Sequence, residues 1–548
     1  MNWLRKFKSK LAIKSHWLIL LAGLYFAFVL NLSLWRFVFK TIEFTGVSTF
    51  IFLLSLPFFI FAPLYLFFNL TVAPYTAKPV LIFLVLISSA ANYFMYNLGV
   101  YIDADMIRNV VETSVRETSD LVTAQKIVWV LTMGVLPALI IAVTKIEYQS
   151  FGKEITKRVG CILVMMLVTA GFMAVSYKEY ASFGRNNHQV RKLINTVNYT
   201  YATVRYFQLQ AQADRKLKRL DENAELVPFT DPHITVLVFV LGEAARAENF
   251  SLYGYERETN PLLKKQDVIH FNEMNSCGTA TAVSVPCMFS HMKRTGFGAA
   301  DARYTENLLD ILQTAGYRVI WRMNADSCKG VCDRAEVQDM QKTNNPKYCD
   351  GRYCYDGILL DGFPEILADI KQDTAIILQT IGSHGPTYYR RYPDDFKKFT
   401  PTCDSANIQN CTRDQIVNTY DNTILYTDYV VSSAIDMLKE HPEYESGLIY
   451  VSDHGESLGE GGIYLHGFPY KFAPREQIRI PKIIWMSEAM KKWDYIDWEC
   501  LRKEAMEKNY THDNLFHSIT GLLEVKTHVY NKEYDIFKNC RTKELFSE

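Results

Sequence analysis

Long uncharged hydrophobic runs dominate residues 1–178, whereas short hydrophobic runs alternate with polar segments in residues 231–548. A run of about 20 apolar residues is long enough to cross the roughly 30 Å hydrocarbon core of a bilayer. Runs of about this length lie at Trp17–Trp35, Val47–Leu70, Pro79–Val100, Ile127–Val143 and Val159–Tyr177. The pattern therefore predicts an α-helical membrane domain of five transmembrane helices.

The distribution of Lys and Arg around these runs predicts their orientation, because cytoplasmic segments of membrane proteins carry an excess of both residues. Basic residues precede the first run and follow the fourth, whereas the loop after the third run is acidic overall. The basic residues are Arg5, Lys6, Lys8, Lys10, Lys14, Lys145, Lys153, Lys157 and Arg158. With the N-terminus in the cytoplasm and an odd number of spans, the C-terminal half emerges on the opposite side. In a bacterium, this is a multi-pass inner-membrane protein whose second half lies in the periplasm.

The C-terminal half has the order of strands and helices that is typical of an α/β domain. "ITVLVFVLGEAAR" (234–246) begins with a continuous apolar and β-branched run, which indicates a buried parallel strand. Similar strands recur at 317–324, 373–385 and 446–455, and helical segments between them include Thr305–Thr314 and Asp421–Leu438. This alternation predicts an α/β/α sandwich with a mostly parallel sheet, whose ligand site lies at the carboxyl ends of the strands.

Residues 179–230 differ from both halves. They are rich in Tyr, Arg, Lys and Gln, as in "NTVNYTYATVRYFQLQAQADRKLKR" (195–219). This composition predicts amphipathic bridging helices near the membrane surface, and a plain linker without chemistry is the alternative. The predicted division is therefore 1–178 for the membrane domain, 179–230 for the linker and 231–548 for the catalytic domain.

Cysteine usage supports an oxidising compartment for the C-terminal half. Of the eleven cysteines, only Cys161 lies in the membrane part. An even number of cysteines at short spacings is typical of disulfide bonds, and zinc–thiolate sites are disfavoured because no CxxC spacing occurs. Pairing of neighbours predicts Cys277–Cys287, Cys328–Cys332, Cys349–Cys354 and Cys403–Cys411, with Cys500–Cys540 by exclusion.

Polar residues that could carry chemistry follow two of the predicted strands. Glu243 ends the first strand, and Asp453 and His454 end the fourth. Two carboxylates and an imidazole suit a zinc-like ion, and a coordinated hydroxyl would become a nucleophile. The stretch "SCGTATAVSVPC" (276–287) offers the hydroxyl groups of Thr279, Thr281 and Ser284. Spacing alone does not choose among them, and an ordinary solvated loop is the alternative for each residue taken singly.

Several longer stretches resemble the phosphoethanolamine transferases that modify lipid A, which belong to the alkaline phosphatase and sulfatase superfamily. They are "GEAARAENFSLYGYERETNP", "NSCGTATAVSVPCMFS", "CKGVCD", "GSHGPTYYRRYP" and "VSDHGESLGEGGIYLHGFP". The resemblance covers essentially the whole chain. It implies five N-terminal transmembrane helices followed by an extracytoplasmic catalytic domain of the alkaline phosphatase/sulfatase type.

The resemblance also implies a set of site residues. Zinc would be bound by Glu243, Thr281, Asp453 and His454, and Thr281 would become the phosphorylated nucleophile. The resemblance implies one tightly bound Zn²⁺ and allows a second one. The implied substrate-binding residues are His384, His466, Lys329 and Asn324. Ala244 and Met323 depart from the residues that relatives usually have there, which leaves fine substrate contacts open.

The loop after the third hydrophobic run contains a further candidate site. In "RNVVETSVRET" (108–118), Asn109, Thr113 and Glu117 recur at four-residue steps and would share one face of a helix. An ordinary polar helix face is the alternative. The resemblance implies that these residues bind the ethanolamine head group, and the carboxylate of Glu117 suits its ammonium.

Together these observations predict a zinc-dependent phosphoethanolamine transferase. Phosphatidylethanolamine would be the donor, a lipid A phosphate in lipopolysaccharide the acceptor and diacylglycerol the by-product. The lower negative charge of the cell surface would then confer polymyxin resistance. The alternatives are a core-sugar acceptor, a phosphoglycerol transferase of the same superfamily and an inactive membrane sensor. A formal net charge of zero predicts no nucleic-acid partner, and we expect a monomer.

Overall fold

The computed structural model describes residues 12–42, 46–73, 76–177, 179–180, 183, 187, 190–212, 216–227, 233–493 and 495–543. Two groups of sequence-based predictions lie at least partly outside these described residues. One is the orientation signal from Arg5, Lys6, Lys8 and Lys10, and the other is part of the 179–230 linker.

The chain forms two compact units. The first contains Met1–Ile107 and Val122–Phe207, and the second contains Arg108–Leu121 and Gln208–Glu548. This division differs from the one that composition predicts. The segment Arg108–Leu121 lies between two hydrophobic runs in the sequence, yet it packs with the C-terminal unit.

Helices dominate the N-terminal half of the chain. They are α1 (Ser15–Leu24), α2 (Leu32–Thr41), α3 (Val47–Thr71), α4 (Ala77–Leu98), α5 (Ala104–Glu112), α6 (Val115–Asp120), α7 (Ala124–Val130), α8 (Leu136–Val143), α9 (Phe151–Val175), α10 (Val190–Leu193) and α11 (Asn195–Gln212). A π-helical turn, Leu131–Val135, joins α7 to α8. Among the described residues, four helices are long and apolar enough to cross a membrane, or five if one bent pair forms a single span.

The bent pair is the first predicted span. A helical stretch Ser15–Val29 and the helix α2 meet at 52° instead of forming one straight helix over Trp17–Trp35. The Asn31 side chain donates a hydrogen bond to the Phe26 carbonyl at 2.7 Å, which supports the chain where the helix is interrupted. Helices bend where a side chain satisfies a carbonyl that has left the regular ladder.

The C-terminal unit is built on a seven-stranded sheet. Its strands are β1 (Ile234–Gly242), β2 (Ile269–His270), β3 (Arg318–Met323), β4 (Glu336–Asp339), β5 (Thr374–Gln379), β6 (Tyr444–Ser452) and β7 (Lys482–Met486), in the spatial order β2-β7-β6-β1-β5-β3-β4. The five strands from β6 to β4 are parallel, whereas β7 is antiparallel to both β6 and β2. The sheet is mostly parallel, as the hydrophobic runs predict.

Helices accompany the sheet in this unit. They are α12 (Thr281–Met288), α13 (Leu308–Thr314), α14 (Phe363–Ala368), α15 (Arg413–Lys439), α16 (Arg475–Ile478), α17 (Glu488–Trp493), α18 (Trp498–Glu507) and α19 (Leu515–Leu522). Both faces of β1 are buried, since its successive residues Val236 to Leu241 are all at most 4% exposed. A strand that is buried on both faces is typical of an α/β/α sandwich.

The register of the sheet determines where the site forms. Gly242 at the end of β1 pairs with Ser452 at the end of β6. The next residues, Glu243 and Asp453, therefore leave the sheet side by side at the carboxyl edge, where open parallel sheets bind ligands.

Five disulfide bonds form in the C-terminal unit. They are Cys277–Cys287, Cys328–Cys332, Cys349–Cys354, Cys403–Cys411 and Cys500–Cys540. The first four match the pairing of neighbours expected from spacing, Cys500–Cys540 matches the pairing by exclusion, and Cys161 is a free thiol.

Candidate active site

Two buried carboxylates and one buried imidazole meet at the carboxyl edge of the sheet. The Nε2 atom of His454 lies 3.3 Å from Glu243 Oε1 and 3.4 Å from Asp453 Oδ2. One potential ligand atom from each of these three residues lies within 4.8 Å of the other two. Residues from two distant parts of the sequence thus form one compact donor set.

Local hydrogen bonds orient Asp453 and His454 toward one another. Asp453 Oδ1 accepts the N–H groups of Ala244 at 3.1 Å and His454 at 2.7 Å. Asp453 Oδ2 is buried and has no hydrogen-bond partner within the described part of the chain. His454 Nδ1 lies 2.8 Å from the Gly455 carbonyl, which can only accept a hydrogen bond. When the imidazole is neutral, as a metal ligand has to be, its proton sits on Nδ1 and its Nε2 lone pair faces the carboxylates.

Thr281 adds a hydroxyl group to this set. Its Oγ1 atom lies 3.1 Å from both Glu243 carboxylate oxygens and 3.2 Å from His454 Nε2. Thr281 is the first residue of α12, and the preceding Ala280 has an extended backbone. The first N–H groups of a helix have no intrahelical partner and favour anions, so the hydroxyl stands where a phosphate group would be stabilised.

The structure distinguishes Thr281 from the two other hydroxyls of its segment. Thr279 Oγ1 donates to the Phe468 carbonyl at 2.6 Å, and Ser284 Oγ accepts the Gly278 N–H at 3.0 Å. Both side chains are buried and engaged with the backbone. Only Thr281, of these three, points its hydroxyl at the carboxylate and imidazole groups.

The electrostatics of the cluster favour a bound cation. Burial and the negative charge of Glu243 raise the pKa of Asp453. Burial opposes the charged form of His454, but the neighbouring carboxylates, Asp453 foremost, outweigh it and raise the pKa of the imidazole. The carboxylate oxygens, the imidazole nitrogen and the hydroxyl oxygen, with Asp453 Oδ2 unpartnered, are donors of the kind that zinc binds.

Two further histidines lie beside this cluster. The ring of His466 is centred 4.3 Å from that of His454 and 5.3 Å from that of His384. His466 Nδ1 lies 2.8 Å from Glu456 Oε2, and Glu456 Oε1 accepts the Tyr388 hydroxyl at 2.6 Å. His454, Glu456 and His466 form a second potential donor set. Sequence reasoning missed Glu456 and Tyr388, although "SDHGESLGE" placed Glu456 near the strand end.

His384 is partly exposed, but its Nδ1 atom is buried and has no hydrogen-bond partner among the residues that the structure describes. Desolvation by the surrounding protein, together with the positive charge of Arg391, lowers the pKa of His384 and keeps its ring neutral. A neutral ring beside the cluster is able to bind a metal or donate one hydrogen bond to a phosphate oxygen.

Asn324 is linked to the backbone beside the cluster, through Cys354 and Asp356. Its Nδ2 group donates to the Cys354 carbonyl at 2.9 Å and to Asp356 Oδ1 at 2.8 Å. Asp356 in turn accepts the N–H groups of Ile381 and Gly382 at 2.8 and 2.9 Å, in the turn that leads to His384. The Asn324 amide nitrogen thus supports the backbone near the site, through an aspartate that sequence reasoning missed.

The prediction that Asn109, Thr113 and Glu117 share one helical face is wrong. Helix α5 ends at Glu112 and α6 begins at Val115. Ser114 between them has an extended backbone, and its hydroxyl accepts the Glu117 N–H at 3.1 Å as an N-cap. An N-cap starts a new helix, so the four-residue spacing does not run through one continuous helix.

Glu117 is partly buried among several charged side chains of the second unit. Burial raises the pKa of Glu117 to about 7, the charges of Asp326 and Glu243 act in the same direction, and Lys329 opposes them. Lys329 Nζ also lies 3.5 Å from the Glu112 carbonyl. The segment that carries Glu117 is therefore electrostatically linked to Glu243 and to the predicted residue Lys329. Asp326, which pairs with Arg116, was not predicted.

Comparison with known proteins defines the class first. A family model described as Sulfatase matches residues 235–525, the span that contains the seven-stranded sheet and the carboxylate–imidazole cluster. The C-terminal unit is therefore a catalytic domain of the sulfatase type.

A second model, described as "Phosphoethanolamine transferase EptA/EptB", matches residues 60–211. The chain is 42% identical to phosphoethanolamine transferase EptA of Escherichia coli K12, covering 95% of this chain and 96% of that one. It is 36% identical to phosphatidylethanolamine transferase Mcr-1 of Escherichia coli, covering 75% and 78% of the two chains. The chain thus belongs to the EptA/EptB phosphoethanolamine transferase family.

Solved structures agree with this assignment. The integral membrane lipooligosaccharide phosphoethanolamine transferase EptA of Neisseria meningitidis is 38% identical and superposes with a TM-score of 0.94, over 97% of this chain and 100% of that one. The periplasmic domain of EcEptC from Escherichia coli, determined in complex with Zn, is 25% identical with a TM-score of 0.50, over 60% of this chain and 92% of that domain. The predicted combination of a helical membrane domain and a sulfatase-type domain is confirmed.

Proposed function

We propose that this protein transfers phosphoethanolamine from phosphatidylethanolamine to a phosphate of lipid A. The observation that carries the proposal is the position of Thr281 Oγ1, within 3.2 Å of Glu243 and His454 at the start of a helix. The donor is supported by the name of the relative Mcr-1, a phosphatidylethanolamine transferase, and the acceptor class by the lipooligosaccharide named for the Neisseria relative. We place the catalytic unit in the periplasm, anchored in the inner membrane.

Zinc is the proposed cofactor, with Glu243, Thr281, Asp453 and His454 as its ligands. When bound, zinc lowers the pKa of a coordinated hydroxyl and offsets negative charge on a phosphate group. The buried, unpartnered Asp453 Oδ2 and the zinc-bound EcEptC domain support this assignment. His454, Glu456 and His466 are the proposed donors if a second ion binds.

The residues of the chain supply the remaining chemistry in two half-reactions. In the first, Thr281 Oγ1 forms a bond to the donor phosphorus, the bond from phosphorus to the diacylglycerol oxygen breaks, and this oxygen takes up the proton that Thr281 has lost, so that diacylglycerol leaves as an alcohol. Glu243 accepts the hydrogen bond of the Thr281 hydroxyl and is the nearest group to receive its proton. In the second, an oxygen of the acceptor phosphate attacks the same phosphorus, the bond from phosphorus to Thr281 Oγ1 breaks, and the proton of the acceptor phosphate passes to Thr281 Oγ1.

Charge develops on the phosphate oxygens in both half-reactions. The N–H groups at the start of α12 and the rings of His384 and His466 are the donors proposed to stabilise it. Donors that are already oriented before the reaction lower the barrier most, since they need no rearrangement as charge develops.

Binding of the donor head group is assigned to the segment that carries Asn109, Thr113 and Glu117, with Lys329 nearby. An ionised Glu117 would pair with the ammonium of ethanolamine through a charge-assisted hydrogen bond. The product, a less anionic lipid A, would bind cationic peptides such as polymyxins more weakly.

The deciding experiment is mass spectrometry of lipid A from cells that express the wild-type protein or Thr281→Ala. We expect a phosphoethanolamine added to lipid A only with the wild type, together with higher polymyxin resistance. Phosphoethanolamine found on a core sugar would change the acceptor, and an added group without nitrogen would indicate phosphoglycerol transfer. An unmodified envelope in both strains would contradict the proposal.

A further inference from the structure

His512 is a fully buried histidine outside the donor set, and both of its ring nitrogens bind backbone groups of the segments that form the site. Its Nδ1 atom accepts the Cys277 N–H at 3.0 Å, and its Nε2 atom lies 3.0 Å from the Ser452 carbonyl. Because a carbonyl only accepts hydrogen bonds, Nε2 carries the proton and the ring is neutral. Burial also lowers the pKa of His512, in agreement with a neutral ring.

The two groups that His512 joins belong to the two halves of the site. Cys277 begins the disulfide-closed segment that carries Thr281. Ser452 ends β6 and immediately precedes Asp453 and His454. The ring therefore forms a direct bridge between the segment of the hydroxyl and the strand end of the carboxylate and imidazole.

The Ser452 side chain links the same backbone position to the donor set. Its hydroxyl donates to the His454 carbonyl and accepts the Ala245 N–H, both at 2.9 Å. Any displacement of the Ser452 backbone would therefore also move His454 and the residues that follow Glu243.

The position of His512 is itself tightly determined. Residues Asn509–Thr511 pair in parallel with Glu273–Asn275, so that Thr511 lies opposite Asn275, two residues before Cys277. Thr511 and Asn514 form a capping box around His512. The bridging ring is thus held by backbone pairing on one side and by a capped turn on the other.

We propose that His512 is a positioning residue that sets the distance of Thr281 Oγ1 from the Asp453–His454 pair. The inference rests on the proposed role of Thr281 and deepens it. A mispositioning of reacting groups by about 1 Å costs about 100-fold in rate, and the loss appears in the chemical step more than in substrate binding. His512 touches no substrate and acts through the two segments that it joins.

The test compares His512→Ala with His517→Ala in the purified full-length protein. His517 is also a buried histidine that accepts a backbone N–H, from Asn531 at 3.2 Å, but its bond leads away from Cys277 and Ser452. Phosphorylation of Thr281 by phosphatidylethanolamine would be followed in single turnovers, with zinc content and melting temperature measured on the same samples.

We expect both variants to melt at lower temperature, and only His512→Ala to lose about 100-fold in the rate of Thr281 phosphorylation at saturating donor. His512→Gln should recover part of the rate, because an amide has both an acceptor and a donor. Equal rates for the two alanine variants would overturn the inference. If His512→Ala does not fold, the comparison passes to His512→Gln, whose rate must then lie below that of His517→Ala.

A double-mutant cycle gives a second readout that a purely structural role would not change. Removal of the Cys277–Cys287 disulfide should reduce the phosphorylation rate less in a His512→Gln background than in the wild type, because both changes loosen the same segment. Independent, multiplicative effects would overturn the inference. A wild-type protein that forms no phosphothreonine would instead contradict the proposed function, so the two failures are distinguishable.

Discussion

Two segments of the C-terminal unit approach the same site but are held in different ways. Ser276–Cys287 is closed by a disulfide bond and contributes backbone and hydroxyl groups to buried hydrogen bonds. Arg108–Leu121 contains the end of α5 and the whole of α6, with a break between them, and side-chain contacts hold it in place. Its contacts include Arg116 with Asp326 and Asp120 with Arg352 and with the Tyr353 hydroxyl.

The difference matches what each segment is proposed to do. A nucleophile has to be positioned to within a fraction of an ångström for the chemical step, and covalent and backbone constraints provide that precision. Recognition of a head group tolerates more movement, and polar side-chain contacts allow the donor to enter. Damage to the first segment should therefore lower kcat, whereas damage to the second should raise KM.

The largest expected effect is that of Thr281→Ala. Loss of the nucleophile should reduce transfer to lipid A by more than about 1,000-fold, since residues of this kind account for most of the catalysed rate. The matched control is Thr279→Ala, two residues away, whose hydroxyl donates to the Phe468 carbonyl at 2.6 Å and which should retain at least about a tenth of the activity. Mass spectrometry of lipid A would quantify both, and a reversed ranking would reassign the nucleophile.

The second effect concerns Glu117→Gln. Loss of a charge-assisted contact with the donor ammonium, about 2 kcal/mol, should raise KM for phosphatidylethanolamine about 30-fold and leave zinc content unchanged. Thr118→Ala is the control, because Thr118 is exposed and its hydroxyl donates to the Ser114 carbonyl of its own helix. A fall in kcat at constant KM would place Glu117 in the chemistry instead.

The same residue predicts a pH dependence. Burial raises the pKa of Glu117 to about 7, so its carboxylate is ionised only above that pH. KM for the donor should therefore rise by up to about tenfold per unit as pH falls below 7, and Glu117→Gln should flatten this dependence. Folding raises the pKa of Glu117 from its ordinary value of 4.5 to about 7, so the folded state holds the proton more tightly than the unfolded state does. The contribution of Glu117 to the free energy of unfolding is therefore lost as pH rises from 4.5 through about 7. Kinetics and melting curves between about pH 5.5 and about 8.5 would measure the direction in which KM and stability change with pH.

The smallest expected effect on activity comes from the removal of single disulfide bonds, which distinguishes a loss of stability from a loss of positioning. The Cys500–Cys540 bond closes 40 residues and the Cys277–Cys287 bond closes 10. Loss of the first should lower the free energy of unfolding by about 4 kcal/mol and loss of the second by about 3 kcal/mol. Only loss of Cys277–Cys287 should lower kcat, about tenfold. Equal effects of the two double Cys→Ser variants on kcat would contradict a specific positioning role of the Cys277–Cys287 bond.

Features that depend on local pattern are predictable from the amino-acid sequence of this chain. Hydrophobic runs identify the membrane helices, and the apolar segments that begin at Ile234 and Ser446 identify parallel strands with Glu243 and Asp453 at their ends. Parallel strands end at a common edge, so the strand pattern places both residues at that edge, and the pairing of β1 with β6 in the folded sheet brings them side by side. Close spacing also pairs eight of the ten cysteines of the C-terminal half, because short loops favour bonds between neighbours, and Cys500–Cys540 follows by exclusion.

Groups that meet across long separations are brought together by the tertiary fold and by nothing in the local pattern. Thr279, Thr281 and Ser284 are equivalent in pattern, and the packing of α12 against the strand ends singles out Thr281. His512 joins Cys277 to Ser452 over separations of 235 and 60 residues, which no local periodicity encodes. The break at Ser114 arises because a side-chain cap outweighs helical spacing, and the placement of Arg108–Leu121 with the catalytic unit depends on ion pairs with distant residues. Such contacts depend on register and packing of the whole fold, and neither is present in a segment read alone.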